Sequence, residues 1–180
     1  MVVMEKIENH LLKILIEQKQ QIVNDWVDLI FQLPGSNYQS LLRENVRRSC
    51  LQGIEALIQL QECGSETGID QYVHQISLKR LEQGFNIREV IQALLLLHRA
   101  VLLAANQCLE GDPNKVSQVC LDLDDSLRIM VSQFGSLYST AINRSLEEQQ
   151  QQANSLAREN ERLYQETQRR LEESMSMQRV

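Results

Sequence analysis

Apolar residues recur every three or four positions along most of the chain, and glycine and proline interrupt this pattern at a few places. The interruptions lie at residues 34–36, 63–68, 84 and 111–113. A spacing of three or four places apolar residues on one face of an α-helix, and no segment shows the alternation of a strand between hairpin turns. The pattern therefore predicts an all-α fold, an antiparallel bundle of about five helices.

Helix start signals agree with two of these boundaries. Asn86 is followed three residues later by Glu89, which is the spacing of a capping box with Asn as the cap. Asp112 is followed by Pro113, so an acceptor stands at the cap and proline at the first helical position. We expect helices to begin after Asn86 and after Asp112.

Two local features leave the helix pattern open to interpretation. The first segment carries a polar stretch at residues 17–21, so it is either one bent helix or two helices. Gly53 and Gly135 fall inside predicted helices, where glycine is unfavourable. We expect both to mark places where helices approach each other closely.

The character of the sequence changes after about residue 145, since residues 147–180 contain no glycine or proline and are mostly Glu, Gln and Arg. Seven-residue repeats, the mark of a coiled coil, run through two sets of positions here: Leu146, Ala153, Asn160 and Thr167, and Ile142, Gln149, Leu156 and Leu163. They predict two regions, a helical domain over 1–145 and a coiled-coil linker over 146–180, and a parallel homodimer in which each Asn160 faces its own copy. A solvated single helix that frays is the alternative.

Composition excludes several classes of partner. The chain has 180 residues and a formal net charge of -6, so it lacks the basic stripe that nucleic acid requires. The longest near-continuous apolar stretch, residues 93–105, is shorter than the roughly 20 residues that cross a bilayer, and no signal peptide is visible. We expect a cytoplasmic protein that binds neither nucleic acid nor membrane.

The four cysteines fit that expectation. They are Cys50, Cys63, Cys108 and Cys120, and none stands in a Cys-x-x-Cys pair. We interpret most of them as small core residues of a reduced protein.

Residues typical of catalysis or cofactor binding are sparse. The phosphate-binding, dinucleotide-binding, zinc-protease and serine-hydrolase motifs are all absent from the sequence, so we expect no catalytic activity. Asp122, Asp124 and Asp125 form an acidic cluster that we interpret as an exposed helix face. His98 lies in an apolar stretch, where it could ligate haem, accept a phosphoryl group or sense pH. We favour a histidine bonded to a neighbouring helix, predict no cofactor, and retain His98 as a weak candidate ligand.

The segment over residues 78–90, Leu-Lys-Arg-Leu-Glu-Gln-Gly-Phe-Asn-Ile-Arg-Glu-Val, carries a family resemblance. Together with Trp26 in the first segment and Arg99 in the following helix, it resembles the N-terminal domain family of RsbT co-antagonist (RsbRD-type) proteins over about residues 5–143. The tail over residues 159–170 resembles the linker helices that enter GAF domains of sensor kinases.

This resemblance implies an all-helical, non-catalytic domain at the N-terminus of a bacterial signalling protein, ahead of a STAS, GAF or histidine-kinase module. Related stressosome sensor domains have a globin-like fold without haem, so a globin-like arrangement of the bundle is possible. The family supplies no defined ligand.

The same motif also has a physical interpretation of its own. Gly84 permits a left-handed turn between two helices, Phe85 anchors that junction in the core, and Asn86 caps the next helix. We expect Arg80 and Arg99 to bond helix-end carbonyls or Glu89, as structural rather than ligand-binding residues.

Two functions follow from the sequence. The first is a dimeric cytoplasmic sensory input domain whose last helix relays a signal to a C-terminal output module. The second is a sensor that binds haem or another cofactor in a globin-like fold, with His98 as the ligand.

Overall fold

The computed structural model describes residues 9–177, and every regular element in that range is a helix. The elements in chain order are α1 (His10–Glu17), α2 (Lys19–Phe31), a 3₁₀ helix (Asn37–Ser40), α3 (Arg43–Cys63), α4 (Thr67–Glu82), α5 (Ile87–Cys108) and α6 (Pro113–Met177). The all-α prediction is confirmed. The described range contains six α-helices instead of about five, because the first predicted segment forms two.

The boundary between α1 and α2 is a single residue. Gln18 has φ -107° and ψ 15°, outside the helical range, and it donates its backbone N–H to the Ile14 carbonyl. The polar stretch at residues 17–21 therefore marks a real interruption, and the question left open by the sequence is decided in favour of two helices.

The core forms from the apolar face of each helix. In α1 and α2 the apolar residues spaced three, four or seven apart are buried (Leu11, Leu15, Ile22, Trp26 and Ile30). α2 packs against α3 and α5, and α3 packs against α4. No helix in the described range is long and apolar enough to cross a membrane.

The first part of α6 closes this core through side chains. The Gln61 amide of α3 donates to the Ser126 hydroxyl of α6 at 3.0 Å. The rings of Tyr72 in α4 and Phe134 in α6 meet edge to face with centroids 6.4 Å apart. Among the α6 residues whose burial is described, Tyr138 is the last buried one.

Contacts within the chain divide it into two units, with the division between Tyr138 and Ser139. In the second unit the helix is formed by polar residues with scattered apolar positions, and the predicted seam residues are all exposed (Leu146, Ala153, Leu156, Asn160 and Leu163). An ion pair joins Glu166 to Arg170 at 2.6 Å, which supports the helix along its surface.

The two helical glycines differ. A Cβ atom at Gly53 would lie 2.9 Å from the Tyr72 ring and 3.3 Å from the Trp26 ring, so α3 does approach its neighbours closely there. At Gly135 nothing lies within 4 Å of such an atom. The prediction for Gly135 is wrong because this residue is on the exposed face of α6.

The prediction that most cysteines are core residues is also wrong. All four are free, and only Cys50 is buried. Cys63 and Cys108 are exposed because each is the last residue of its helix, α3 or α5. Cys120 is partly exposed.

Candidate functional site

The junction between α4 and α5 is built around a left-handed glycine. Gly84 has φ +77°, a value that glycine adopts without strain. The Phe85 N–H donates to the Arg80 carbonyl at 2.9 Å and the Gly84 N–H donates to the Leu81 carbonyl at 3.0 Å. These two bonds form a Schellman motif, which ends α4 and turns Phe85 into the core, where it is 4% exposed.

The start of α5 is held by hydrogen bonds within its first turn and by hydrogen bonds to the 3₁₀ helix. Asn86 and Glu89 form a capping box, in which each side chain accepts from the other residue's backbone N–H. The Glu89 carboxylate also accepts from the backbone N–H and side-chain amide of Asn37, at 3.0 and 3.3 Å. The 3₁₀ helix is thereby tied to the α5 terminus, and the Tyr38 ring meets the Phe85 ring edge to face at 4.6 Å.

Arg80 lies inside this junction. Its guanidinium carbon is 5.0 Å from the centre of the Tyr38 ring and 5.2 Å from that of Phe85, within the range of cation–π attraction. One guanidinium nitrogen donates to the Gln83 amide oxygen at 2.6 Å. The residue is only 2% exposed, and its Nε is buried without a hydrogen-bond partner.

A small cavity of about 20 Å³ adjoins Arg80. Its wall is apolar except for a few polar side chains, and its lining includes Trp26, Tyr38, Ser49, Cys50, Tyr72, Arg80 and Phe134. The lining comes from α2, the 3₁₀ helix, α3, α4, α5 and α6. A change in the packing of any of these elements therefore changes the cavity.

The ionisable groups around the cavity are held in their neutral forms. Burial raises the pKa of the Cys50 thiol and of the Tyr72 phenol. Burial also raises the pKa of Tyr38, although the Arg80 charge opposes it, and it raises the pKa of Tyr138 to about 12. Near neutral pH none of these four groups carries a negative charge, so none of them balances the charge of Arg80.

The structure brings together five of the six motif residues, namely Arg80, Gly84, Phe85, Asn86 and Glu89. Arg99 is exposed on α5 and, among the described residues, forms no hydrogen bond or ion pair. The prediction that Arg80 and Arg99 bond helix-end carbonyls or Glu89 is therefore wrong. Arg80 binds a glutamine instead of a carbonyl or Glu89, and its guanidinium lies beside the contacting rings of Tyr38 and Phe85. Arg99 faces solvent.

His98 lies elsewhere, in an open surface groove between α5 and α6. Its Nε2 is 3.5 Å from the Asp124 carboxylate, and its side chain is 34% exposed. Asp122 accepts a hydrogen bond from Gln118. Within the described residues no three His, Cys, Asp or Glu side chains are grouped so as to hold a metal ion.

Tyr38, Tyr72 and Phe134 lie in the core, and the sequence pattern does not connect them to Arg80. One signal was present in the sequence. Arg80 continues the apolar series Ile69, Val73 and Ile76 of α4, and a charged residue at a buried position of a helix face needs a specific environment. The partners of Arg80 come from other helices, so the sequence does not reveal them.

Comparison with protein families connects this junction to a known group. The family model of the RsbT co-antagonist protein rsbRD N-terminal domain matches residues 20–153. The chain belongs to the rsbRD N-terminal domain family. The matched range contains every residue that lines the cavity and the whole α4–α5 junction. No match was found among curated proteins or among solved structures.

Membership in the rsbRD N-terminal domain family makes this chain a regulatory domain of stressosome-type signalling. The resemblance noted on residues 78–90 is thus confirmed.

Proposed function

We propose that this chain is a non-catalytic sensory input domain that forms a parallel homodimer and relays a signal through α6 to an output module. The output module is of the GAF, histidine-kinase or STAS type and follows the linker in the same polypeptide. The single observation that carries the proposal is the continuity of α6, which runs from Pro113 to Met177 without a break.

That continuity matters because the two parts of α6 have different surroundings. Up to Tyr138 one face of the helix is buried in the core and includes Met130 and Phe134, and the Phe134 ring meets the Tyr72 ring. Between Leu146 and Tyr164 its large apolar residues are exposed. We propose that a shift of packing at Phe134 is passed along α6 to the second part, because consecutive turns of a helix are joined by backbone hydrogen bonds.

The pattern of the second part supports the homodimer. Leu156 and Leu163 are 61% and 48% exposed and repeat every seven residues, so a partner helix would bury them. Asn160 lies in the same seam, where a pair of facing asparagines fixes register and parallel orientation at some loss of stability. A weakly stabilised seam suits a switch, since two packings of similar free energy are accessible to it.

The dimer is tested by sedimentation equilibrium on the whole chain and on one that ends at Ser145. We expect a dimer for the whole chain and weaker association for the shortened one. Leu156→Glu should weaken the dimer, because it buries a charge in the seam. Arg158→Glu introduces the same side chain on the outer face of the helix and should leave association unchanged.

Orientation is tested with a spin label at Ser155→Cys, after replacement of the exposed Cys63, Cys108 and Cys120 by serine. A parallel seam gives one short distance between the two labels. Relay further predicts that Phe134→Leu in the core changes this distance distribution, whereas Arg158→Lys does not. A monomeric whole chain, or labels far apart in a dimer, would contradict the proposal.

The cofactor alternative has no comparable support. Ligand pockets are typically about 300–1,000 Å³, whereas the cavity in the core is about 20 Å³. His98 does not line that cavity. It lines a groove of about 560 Å³ that is open to solvent, whereas a ligand pocket encloses most of the surface of its ligand. The purified protein is therefore expected to be colourless, and a Soret band after expression with added haem would favour the alternative.

A further inference from the structure

Arg80 presents an uncompensated charge inside the protein. Arg80 is only 2% exposed, and among the described residues no carboxylate forms an ion pair with it. Buried charges in proteins are normally paired, because removal of an ion from water without a counter-charge is strongly unfavourable. Attraction to the Tyr38 and Phe85 rings offsets only part of that cost.

The surrounding side chains do not supply the counter-charge. Cys50, Tyr38 and Tyr72 stay neutral because burial disfavours their ionised forms. The carboxylate of the same junction, Glu89, already accepts hydrogen bonds from Asn37 and from the capping box. The Nε–H of Arg80 remains a buried donor with no acceptor.

The adjoining cavity has the size of a single small guest. A cavity holds one water-sized particle once its volume exceeds about 10–15 Å³, and this one is about 20 Å³. That volume accommodates a water molecule or a monatomic ion and is too small for a phosphate or an organic acid. Arg80 lines the cavity together with the tyrosines at positions 38 and 72.

We propose that the cavity beside Arg80 binds one chloride-sized monovalent anion from solution. An anion supplies both the acceptor that the Nε–H lacks and the missing negative charge, and hydrogen bonds between ionised partners are about twice as strong as neutral ones. Water supplies the acceptor alone. Because the cavity is lined by six elements of the fold, an occupant stabilises one packing of the core.

This inference concerns binding only, and it stands whether or not α6 relays a signal. The direct test is the line width of ³⁵Cl⁻ in nuclear magnetic resonance, which broadens when chloride exchanges with a protein site. Chloride replaces gluconate stepwise at constant ionic strength, so that screening is unchanged. We expect excess broadening that saturates with chloride and that bromide reverses by competition.

Two variants test whether the chloride signal arises at Arg80. Arg80→Met removes the buried charge and should abolish the saturable broadening. Arg88→Met removes an arginine that is exposed in the first turn of α5 and should leave the broadening unchanged. Equal broadening in both variants, or no saturable broadening in the unaltered chain, would overturn the proposal.

The unaltered chain provides a further test in case Arg80→Met does not fold. Crystals grown in bromide, with diffraction recorded at the bromine absorption edge, should show an anomalous peak in contact with Arg80 inside the cavity. A cavity that contains water only, or that is empty under these conditions, would overturn the proposal independently of any variant.

Discussion

The indole N–H of Trp26 donates to the backbone carbonyl of Ala93 at 2.6 Å, across 67 positions of the chain. Both residues are buried, so this bond joins α2 to α5 in the interior. Both also line the cavity beside Arg80. The only tryptophan of the chain is thus a structural link between two helices and a wall of the candidate site.

Trp26→Phe removes this bond and leaves a smaller ring in the core. We expect the free energy of unfolding to fall by roughly 1–3 kcal/mol. The measurement is urea unfolding followed by circular dichroism, because the variant has lost the only tryptophan fluorophore. Tyr164→Phe, at a ring that is 63% exposed, serves as the control and should be nearly neutral.

Gly84→Val tests the left-handed turn between α4 and α5. At φ +77° a β-branched residue is strained, and we expect a loss of about 1–3 kcal/mol. A Cβ at this position meets nothing within 4 Å, so backbone strain alone produces the effect. Gly84→Asn should lose less, because asparagine tolerates the left-handed region better. Equal melting temperatures for Gly84→Val and the native chain would contradict a left-handed backbone at this residue.

Gly53→Ala tests the close packing of α3 against the core aromatics. The new methyl group would lie 2.9 Å from the Tyr72 ring, and overpacking of this kind costs roughly 1–3 kcal/mol. Gly135→Ala is the matched control on α6, where the methyl group meets open space. It should raise stability by about 0.5–1 kcal/mol through helix propensity. In thermal unfolding we expect a lower melting temperature for Gly53→Ala and a higher one for Gly135→Ala. A change in the same direction for both variants would refute the close packing at Gly53.

Alkaline pH should destabilise the fold. The Cys50 thiol has an ordinary pKa of 9.0, and burial raises that pKa, so above about pH 9 the unfolded chain loses a proton that the folded chain keeps. The contribution of the neutral thiol to stability is complete below pH 9 and is lost as the pH rises. Tyr72, with an ordinary pKa of 10.0, adds to this above pH 10.

Two cysteine variants separate the contribution of the Cys50 thiol to the pH dependence of stability. The free energy of unfolding, measured with urea between pH 7 and 10, should fall less steeply in Cys50→Ala than in the native chain. Cys63→Ala, at an exposed site, should follow the native slope. An unchanged slope in Cys50→Ala would show that the thiol ionises freely in the folded state.

The order and type of the helices were predictable because they depend on local chemistry. Apolar spacing, the Asn86–Glu89 capping box and the left-handed Gly84 act over a few residues, and the structure contains all three features. Solvent exposure was less predictable. Cys63 and Gly135 were assigned by residue type, whereas their exposure depends on the helix end or face that each occupies.

By itself, the sequence determined an all-α chain, the α4–α5 junction and the family to which the chain belongs. Only the tertiary structure decided that Arg80 lies beside the rings of Tyr38 and Phe85 and that its Nε has no partner. The physical reason is that periodicity specifies which face of a helix is buried, whereas the partners of a buried charge come from distant segments. Those segments meet only when the helices pack.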